Sequence, residues 1–184
     1  NGAVTVTRSG DLTSALTVGY TVSGTASPGV DYVPLPGAVT LDAGVASGIL
    51  LSGAGAYITS GGIASGTIVR GGAVIVEAGG VARGSILSGG GIEYIASGGS
   101  ATGAIVGSGS QENIAAGGSA SSATISSGGV LLDAGTLAFA VLSGGGAYIL
   151  PGGRASGITV NGGADIVSSG GIATATQLIA GAEA

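Results

Sequence analysis

SGGIASGTIVRGGAVIVE, residues 60–77, is followed directly by AGGVARGSILSGGGIEYIA, residues 78–96. The two stretches are copies of one repeat of about 18 residues, with Gly pairs and short β-branched runs at matching places. Self-similarity at a short fixed period is the sequence signature of a repeat architecture. The repeat extends outward from here over residues 42–184, with copies beginning near positions 43, 60, 78, 97, 116, 134, 151 and 169.

Three columns of apolar residues recur through these copies at intervals of about 18 residues. The first column is made of Ala46, Ala64, Ala82, Ala101, Ala120, Ala138, Ala155 and Ala173. The second is made of Ile58, Val76, Ile95, Ile114, Leu132, Ile149 and Val167. The third and least regular is made of Ile49, Ile68, Ile86, Ile105, Ile125, Val141 and Ile158. We interpret the alanine column as a narrow wall that a larger side chain would not fit.

Short β-rich runs separated by Gly pairs predict strands joined by sharp corners, because Gly readily takes positive φ. A helical repeat is excluded, since Gly fills 42 of 184 positions and costs about 1 kcal/mol relative to Ala inside a helix. Three apolar columns are buried most economically by a solenoid in which like residues stack from rung to rung. The sequence therefore predicts an all-β parallel β-helix of seven to eight rungs, about 35 Å long at about 4.8 Å per rung.

The composition excludes several classes of function. Abundant Gly is also typical of disordered chains, but a hydrophobic fraction of 45% and a net charge of −5 favour an ordered one. Because the chain has no Cys, it has neither disulfides nor thiolate metal sites. Nucleic acid is excluded as a partner because four scattered arginines cannot track a phosphate backbone. These cations are Arg8, Arg70, Arg83 and Arg154.

No apolar run approaches the roughly 18 residues that a membrane-spanning helix needs, so no membrane span is predicted. No charged and then apolar leader opens the chain, and no Met begins it. The missing Met is equally compatible with a processed or excised segment of a longer protein and with a sequence that has simply been trimmed.

Residues 1–41 follow a different pattern. Alternating apolar and hydroxylated residues over 4–7, 16–22 and 38–41 predict about three antiparallel strands. The stretches VTRSGDL (6–12), TVGYTVSGTA (17–26) and GVDY (29–32), leading to GAVTL (37–41), resemble the Calx-beta module. They cover only the middle of that sandwich, so its open edges need a cover. Either the segment caps the first rung, or it exchanges strands with a neighbouring chain.

Calcium is the one cofactor that the sequence suggests. The Calx-beta resemblance implies that Asp31 matches a position that contributes to calcium binding in that family. One carboxylate is a poor ligand set for an ion that takes about 6–8 oxygens. We therefore favour Asp31 as a turn residue before Tyr32 over Asp31 as a calcium ligand.

The repeats of residues 42–184 resemble the passenger repeats of self-associating autotransporter adhesins. The Gly-Gly-x-Ala and Ser-Gly-Gly rhythm of that family is matched by SGGIA (60–64), SGGSA (97–101) and SGGIA (169–173). This resemblance implies a right-handed β-helix that is extracellular or on the cell surface. It also implies partners of two kinds, which are other copies of the chain and a host or neighbouring-cell surface.

Neither end of the predicted rod has a polar terminal repeat, and Leu178 and Ile179 still continue the apolar pattern. Solenoids need capping ends to remain solitary. We therefore predict a structural and adhesive protein that self-associates end to end into a stalk or fibre, with Leu178 and Ile179 as candidate contact residues.

The alternative function is a carbohydrate-binding or carbohydrate-active β-helix. Tyr57, Tyr94 and Tyr148 share one position of the repeat, where a row of rings would bind sugars or a protein partner. We favour scattered rim packing, because other residue types interrupt the row.

Glu93, Glu112 and Asp165 each stand two residues before a member of the second column. Parallel β-helix enzymes align carboxylates in this way for general acid–base work on polysaccharides. Only Glu93 and Glu112 fall on neighbouring rungs, and the chain has no His or Lys to assist them. We predict that the protein is not an enzyme and that these carboxylates serve solubility and discourage sideways association of sheets.

Overall fold

The computed structural model of the chain describes residues 39–183, with side chains over residues 40–180. The described backbone forms 23 short β-strands, numbered β1 to β23 in chain order, and no helix. Each pair of neighbouring strands is parallel and joins residues 16 to 19 positions apart, as Ala64 with Ala82 and Tyr94 with Asn113. This arrangement is a parallel β-solenoid of about eight turns, which confirms the predicted fold class.

Three strands make one rung, and each strand belongs to a separate face of the rod. The first face is an eight-stranded sheet made of β2 (Gly44–Ser47), β5 (Gly62–Ser65), β8 (Val81–Arg83), β11 (Ser100–Thr102), β14 (Ser119–Ser121), β17 (Thr136–Ala138), β20 (Arg154–Ser156) and β22 (Ile172–Thr174). The second face contains β3 (Leu50–Ser52), β6 (Ile68–Arg70), β9 (Ile86–Ser88), β12 (Ile105–Val106), β15 (Thr124–Ser126) and β18 (Val141–Ser143).

The third face contains β1 (Val39–Leu41), β4 (Gly55–Ile58), β7 (Ala73–Val76), β10 (Ile92–Ile95), β13 (Gln111–Ile114), β16 (Val130–Asp133) and β19 (Gly146–Ile149). The long strand β21 (Thr159–Val167) pairs with β18 at its beginning and with β19 at its end, so it joins the second and third faces into one sheet. The last strand, β23 (Gln177–Glu183), pairs along β21.

Gly pairs make the corner between the third face of one rung and the first face of the next. Gly79 has φ of 76°, a left-handed conformation that Gly adopts without cost. Gly80 has a different reason: a Cβ atom built there would collide with the carbonyl oxygen of Ile58 on the preceding rung. The pair thus combines one glycine needed for its φ with one needed for close stacking.

A narrow core runs along the axis of the rod. The rung of β8 to β10 shows the pattern, with Ala82, Ser85, Leu87, Glu93 and Ile95 all buried. Strand alternation explains it, because residues two apart in a strand point to the same side. The alanine column lies on the first face and includes buried Ala46, Ala64, Ala82, Ala101, Ala120 and Ala155, with Ala173 partly buried.

The register differs from the predicted alanine column at one position. Ala120 pairs with Leu137, and Leu137 pairs with Ala155, so Leu137 is the inward residue of β17. Ala138 instead pairs with Ser121 and Ser156. The corner explains the error: four residues separate β13 from β14, but only two separate β16 from β17. A shift of one residue turns every side chain of a strand to the opposite face.

The second column also needs one correction. Ile114 pairs with Asp133, and Asp133 pairs with Ile149, so the inward position predicted for Leu132 is held by Asp133. Leu132 instead pairs with Asn113 and Tyr148 on the outward row of the same strands. The sequence analysis chose Leu132 over Asp133 because Leu132 is apolar. The strand pairing instead places the inward residue 19 positions after Ile114, at Asp133. The other members, Ile58, Val76, Ile95, Ile114, Ile149 and Val167, keep the predicted register.

The third predicted column mixes residues of different orientation. The buried row of the second face is Leu51, Val69, Leu87, Val106, Ile125, Leu142 and Val160, of which only Ile125 was predicted. Ile68, Ile86, Ile105 and Val141 belong to the outward row beside it, and Ile49 and Ile158 lie just before the strands. Successive aliphatic residues in these runs hide which of the two points inward.

The strand predicted for residues 38–41 belongs to the rod. Val39–Leu41 form β1, which pairs in parallel with β4, whereas an antiparallel strand of the N-terminal segment was predicted. The rest of the predicted Calx-beta-like segment lies outside the described residues. Residues 39–183 contain no helix that is both long and apolar enough to span a membrane.

Candidate functional site

The chemically unusual part of the molecule is a set of carboxyl groups inside the rod. Glu93 on β10 and Glu112 on β13 pair directly with each other across neighbouring rungs, and both are 0% exposed. Asp133 on β16 follows on the next rung, two residues further along the strand direction, and is also buried. We call these three residues the interior carboxyl stack.

Strand alternation places these side chains inside. Glu93 stands two residues before Ile95, and Glu112 two residues before Ile114, so each shares the inward side with a buried isoleucine. The prediction that Glu93, Glu112 and Asp165 serve solubility at the surface is therefore wrong, since all three are buried. Their two-residue spacing from the second column was the signal that they point inward.

Glu93 has one hydrogen-bond partner in the stack. The Ser85 hydroxyl donates to Glu93 Oε1 at 2.6 Å, while Glu93 Oε2 has no partner. Burial raises the pKa of Glu93 to about 7, and the Ser85 hydrogen bond lowers it by a smaller amount. Burial dominates because it removes the water that stabilises a carboxylate, so the neutral acid is favoured.

Glu112 has a still less favourable environment for a charge. Neither of its carboxyl oxygens has a hydrogen-bond partner, and the buried Ser110 hydroxyl two residues before it has none either. Burial raises the pKa of Glu112 well above its ordinary value, and repulsion from Glu93 and then Asp133 adds to the effect. At neutral pH this arrangement keeps a proton on the stack.

Hydrogen bonds from backbone N–H groups partly compensate for the burial of the Asp133 carboxyl group. The Gly135 N–H donates to Asp133 Oδ1 at 2.9 Å. Burial raises the pKa of Asp133 to about 6, hydrogen bonds from the Gly135 and Arg154 backbone lower it, and Asp165 raises it again. Asp165 lies farther along the rod, where its strand β21 pairs with β19.

The position of the stack limits its chemistry. A general acid or base must reach the proton that it transfers, and these carboxyl groups are enclosed by the walls of the solenoid. Within residues 39–183 no group of three or more His, Cys, Asp or Glu side chains is placed to hold a metal ion. The stack can therefore hold and release protons, but it does not form a substrate site.

The predicted tyrosine row lies on the outside of the third face. Tyr57, Tyr94 and Tyr148 are partly exposed and share their register with Ile75, Asn113, Leu132 and Ile166. No two tyrosines are on adjacent rungs, so the rings do not form a continuous platform.

An outward row on the second face was not predicted as a surface. Leu50, Ile68, Ile86 and Ile105 lie on four consecutive rungs, in register with one another. Leu50, Ile86 and Ile105 are exposed, and we call the four residues the aliphatic row. Contiguous exposed apolar residues mark interaction surfaces more often than isolated ones do.

The predicted contact residues near the C-terminus lie on β23. Leu178 is 51% exposed and Ile179 is 61% exposed. Leu178 pairs with Val160 of β21, and the pairing is irregular just beyond that point. The calcium candidate Asp31 lies outside the described residues.

The chain is similar to a solved structure, that of a hyper-glycosylated fragment of TibA, TibA55-350, whose glycosylation is catalysed by TibC. The two chains share 33% sequence identity, with a TM-score of 0.62. The match covers 77% of this chain and 63% of the TibA fragment, so the chain spans less than two thirds of that neighbour. No protein-family model matches the sequence, and neither does any curated protein. The likeness supports the β-helix of autotransporter-adhesin type that the repeats predict, whereas nothing in these matches supports the Calx-beta resemblance.

Proposed function

We propose that the chain is an extracellular structural and adhesive β-solenoid, displayed on a bacterial surface, in which the rod itself is the functional element. The observation that carries this proposal is the continuous parallel stack of rungs from β1 to β23. Its outward rows repeat at every rung and are available for contact, whereas its clustered carboxyl groups are buried. The likeness to the TibA fragment supports the adhesin-like, non-enzymatic part of the proposal and the surface location.

Self-association end to end is the proposed mode of assembly. Within the described residues β22 pairs only with β20, and β23 pairs only with β21, which leaves one edge of each strand without a neighbour. A free parallel edge is a template for a further strand. Exposed Leu178 and Ile179 add apolar surface to this edge. Another copy of the chain, with the same rung geometry, is a matching partner.

The test is assembly of the purified chain as a function of concentration, followed by sedimentation velocity and electron microscopy. We expect particles that lengthen as concentration rises. Replacing Leu178 and Ile179 together by Ser should weaken assembly, while replacing Ile86 and Ile105 of the aliphatic row by Ser should leave it unchanged. Circular dichroism checks that both variants keep their β-structure.

Two results would contradict this mode of assembly. A chain that stays monomeric at all concentrations would overturn self-association altogether. Loss of assembly in the aliphatic-row variant, with the variant at Leu178 and Ile179 unaffected, would replace end-to-end docking by side-to-side contact.

Glycan attachment is proposed because the matched TibA fragment is hyper-glycosylated. Ser60, Ser97, Ser108 and Ser127 are exposed residues next to the Gly-rich corners, where their hydroxyls are accessible as acceptors. Intact-mass measurement of the chain produced together with TibC should show added masses of monosaccharide size. An unmodified mass would argue against glycosylation by that enzyme.

Residues 1–38 are proposed as a separate segment that either caps the first rung or exchanges strands with a neighbouring chain. Asp31 is favoured as a turn residue, and calcium binding there is the alternative that a chelator tests. A chelator should then lower the melting temperature of the chain, and Asp31→Asn should abolish that effect. A melting temperature that is the same with and without chelator would argue against calcium.

Carbohydrate binding remains the second candidate function, supported by the exposed tyrosine row. Titration of oligosaccharides should then give a signal that Tyr94→Ala weakens and Glu77→Gln does not. Burial of Glu93 and Glu112 speaks against hydrolysis by these residues, because a saccharide cannot reach them.

A further inference from the structure

The paired glutamates inside the rod have no structural counterpart on the rungs before them. On the inward row that they share, the preceding positions are Ala56 and Val74, and the following ones are Leu131 and Ala147. Asp165 holds the same row one rung after Ala147, so both apolar residues and carboxylic acids occur on it. Glu93 and Glu112 are the two carboxyl groups of this row that lie on adjacent rungs.

The geometry brings Glu93 and Glu112 directly one above the other. They are paired residues of adjacent parallel strands, which lie about 4.8 Å apart. Like charges at such a separation cannot both be ionised cheaply in a site without water. Three of the four carboxyl oxygens also lack a hydrogen-bond donor, and the Ser110 hydroxyl beside Glu112 is buried without a partner.

Residues 39–183 bring no positive charge to the pair that would neutralise it. Strand β7 contributes Val74 and Val76 to the inward side, and β16 contributes Leu131 and Asp133. The remaining strands of these rungs and the corners between them contribute Ala82, Ser85, Leu87, Ala101, Ala104, Val106, Ala120, Ala123 and Ile125. Among the described residues Asp133 is thus the only further titratable group facing the pair, and Arg70, Arg83 and Arg154 are all exposed.

We propose that Glu93 and Glu112 form an acid pair that shares a proton inside the solenoid, so that ionisation of both groups loosens the middle rungs as the solution becomes alkaline. The pair is a proton-binding site built into the rod. Ser85 holds one carboxyl group in place, and the absence of donors around Glu112 makes the second charge unfavourable.

The direction of the pH effect follows from linkage. The folded chain binds the shared proton more tightly than the unfolded chain, in which both carboxyl groups titrate normally. The two groups therefore make their full contribution to the stability of the fold when the pH is below the ordinary pKa of Glu. This contribution is lost as pH rises through the raised pKa of Glu93, about 7, and through that of Glu112, which lies well above its ordinary value.

The test compares melting temperatures between about pH 5 and about pH 9. The natural chain should lose several degrees over this range, and Glu93→Gln with Glu112→Gln should remove most of that loss. Glu77→Gln, at an exposed carboxylate, should keep most of it. Asp133→Asn should remove a smaller part than the double variant does, because it leaves the pair intact but takes away a buried group whose own pKa is raised to about 6. If the double variant loses as many degrees as the natural chain, the proposal is overturned.

A second measurement covers the case in which the double variant does not fold. Infrared spectroscopy of the natural chain should show the carbonyl band of a protonated carboxyl group at neutral pH, disappearing only at alkaline pH. Amide hydrogen exchange, corrected for its intrinsic pH dependence, should accelerate in β10 and β13 more than in β4 and β7. Absence of the band at neutral pH would overturn the proposal, as would uniform acceleration across these strands.

Discussion

At the scale of single residues, the fold depends on glycines that act for two different reasons. Gly84 lies at the corner after β8 with φ of 62°, and a Cβ atom there would meet no atom within 4 Å. Gly80 lacks a positive φ, but a Cβ atom there would collide with the Ile58 carbonyl oxygen. The need for a positive φ and the need for close contact can therefore be tested separately, at the two ends of β8.

We expect Gly84→Ala to lower the free energy of unfolding by about 1 kcal/mol, the cost of a left-handed conformation for Ala. Gly80→Ala should cost more, because the backbone of two rungs must move apart to admit the methyl group. Urea unfolding of both variants measures the difference. A loss for Gly80→Ala no larger than that for Gly84→Ala would contradict the close-stacking role of Gly80.

Ser85 is the residue that supports the interior acid pair. Ser85→Ala removes the hydroxyl that donates to Glu93 Oε1 at 2.6 Å. The free energy of unfolding should fall by about 1–3 kcal/mol, the usual range when a buried polar group loses its partner. The loss should grow with pH, because the Ser85 hydrogen bond favours the ionised form and lowers the pKa of Glu93. Ser85→Thr, which keeps a hydroxyl as Thr67 does one rung earlier, is the matched control.

At the scale of strands, corner length decides which side chains enter the core. Only two residues separate β16 from β17, and this brings Leu137 into the alanine column. The larger side chain is accommodated in a rung whose other inward residues include the small Ala140 and Ala147. Ala147 stands where the preceding rung has Leu131, so a smaller inward residue accompanies the larger Leu137 on this rung.

Leu137→Ala should lower the free energy of unfolding by about 2–5 kcal/mol, because the removed atoms leave a cavity between rungs. Ala138→Ser changes the neighbouring residue, which is only partly buried, and should stay within about 0.5 kcal/mol of the natural chain. Thermal and urea unfolding measure both. If Ala138→Ser were the more harmful change, the register of β17 would be off by one residue.

At the scale of the whole molecule, the rod offers two distinct surfaces for association, its end at β22 and β23 and its aliphatic row. Its eight stacked rungs are about 35 Å long at about 4.8 Å per rung. Copies joined at their ends lengthen the particle at constant width, whereas copies joined along the aliphatic row widen it at constant length.

Small-angle X-ray scattering across a concentration series distinguishes these outcomes. Under the proposed assembly the longest dimension should increase by one rod length per added copy, and the cross-sectional radius should stay constant. A growing cross-section with an unchanged longest dimension would instead assign association to the aliphatic row.

The repeat period, the strands with sharp corners and the parallel stack could be predicted from the sequence alone. These features depend on local backbone preferences and on the recurrence of like residues, as in the copies at 60–77 and 78–96. The inward positions of Leu137 and Asp133 were decided only by the tertiary structure, because the rungs differ in length and a register shift of one residue reverses the faces of a strand. The burial of Glu93 and Glu112 was decided there as well. The free-energy cost of burying these two carboxyl groups depends on the hydrogen-bond donors and charges that neighbouring rungs bring into the core. Strand pairing alone determines those neighbours.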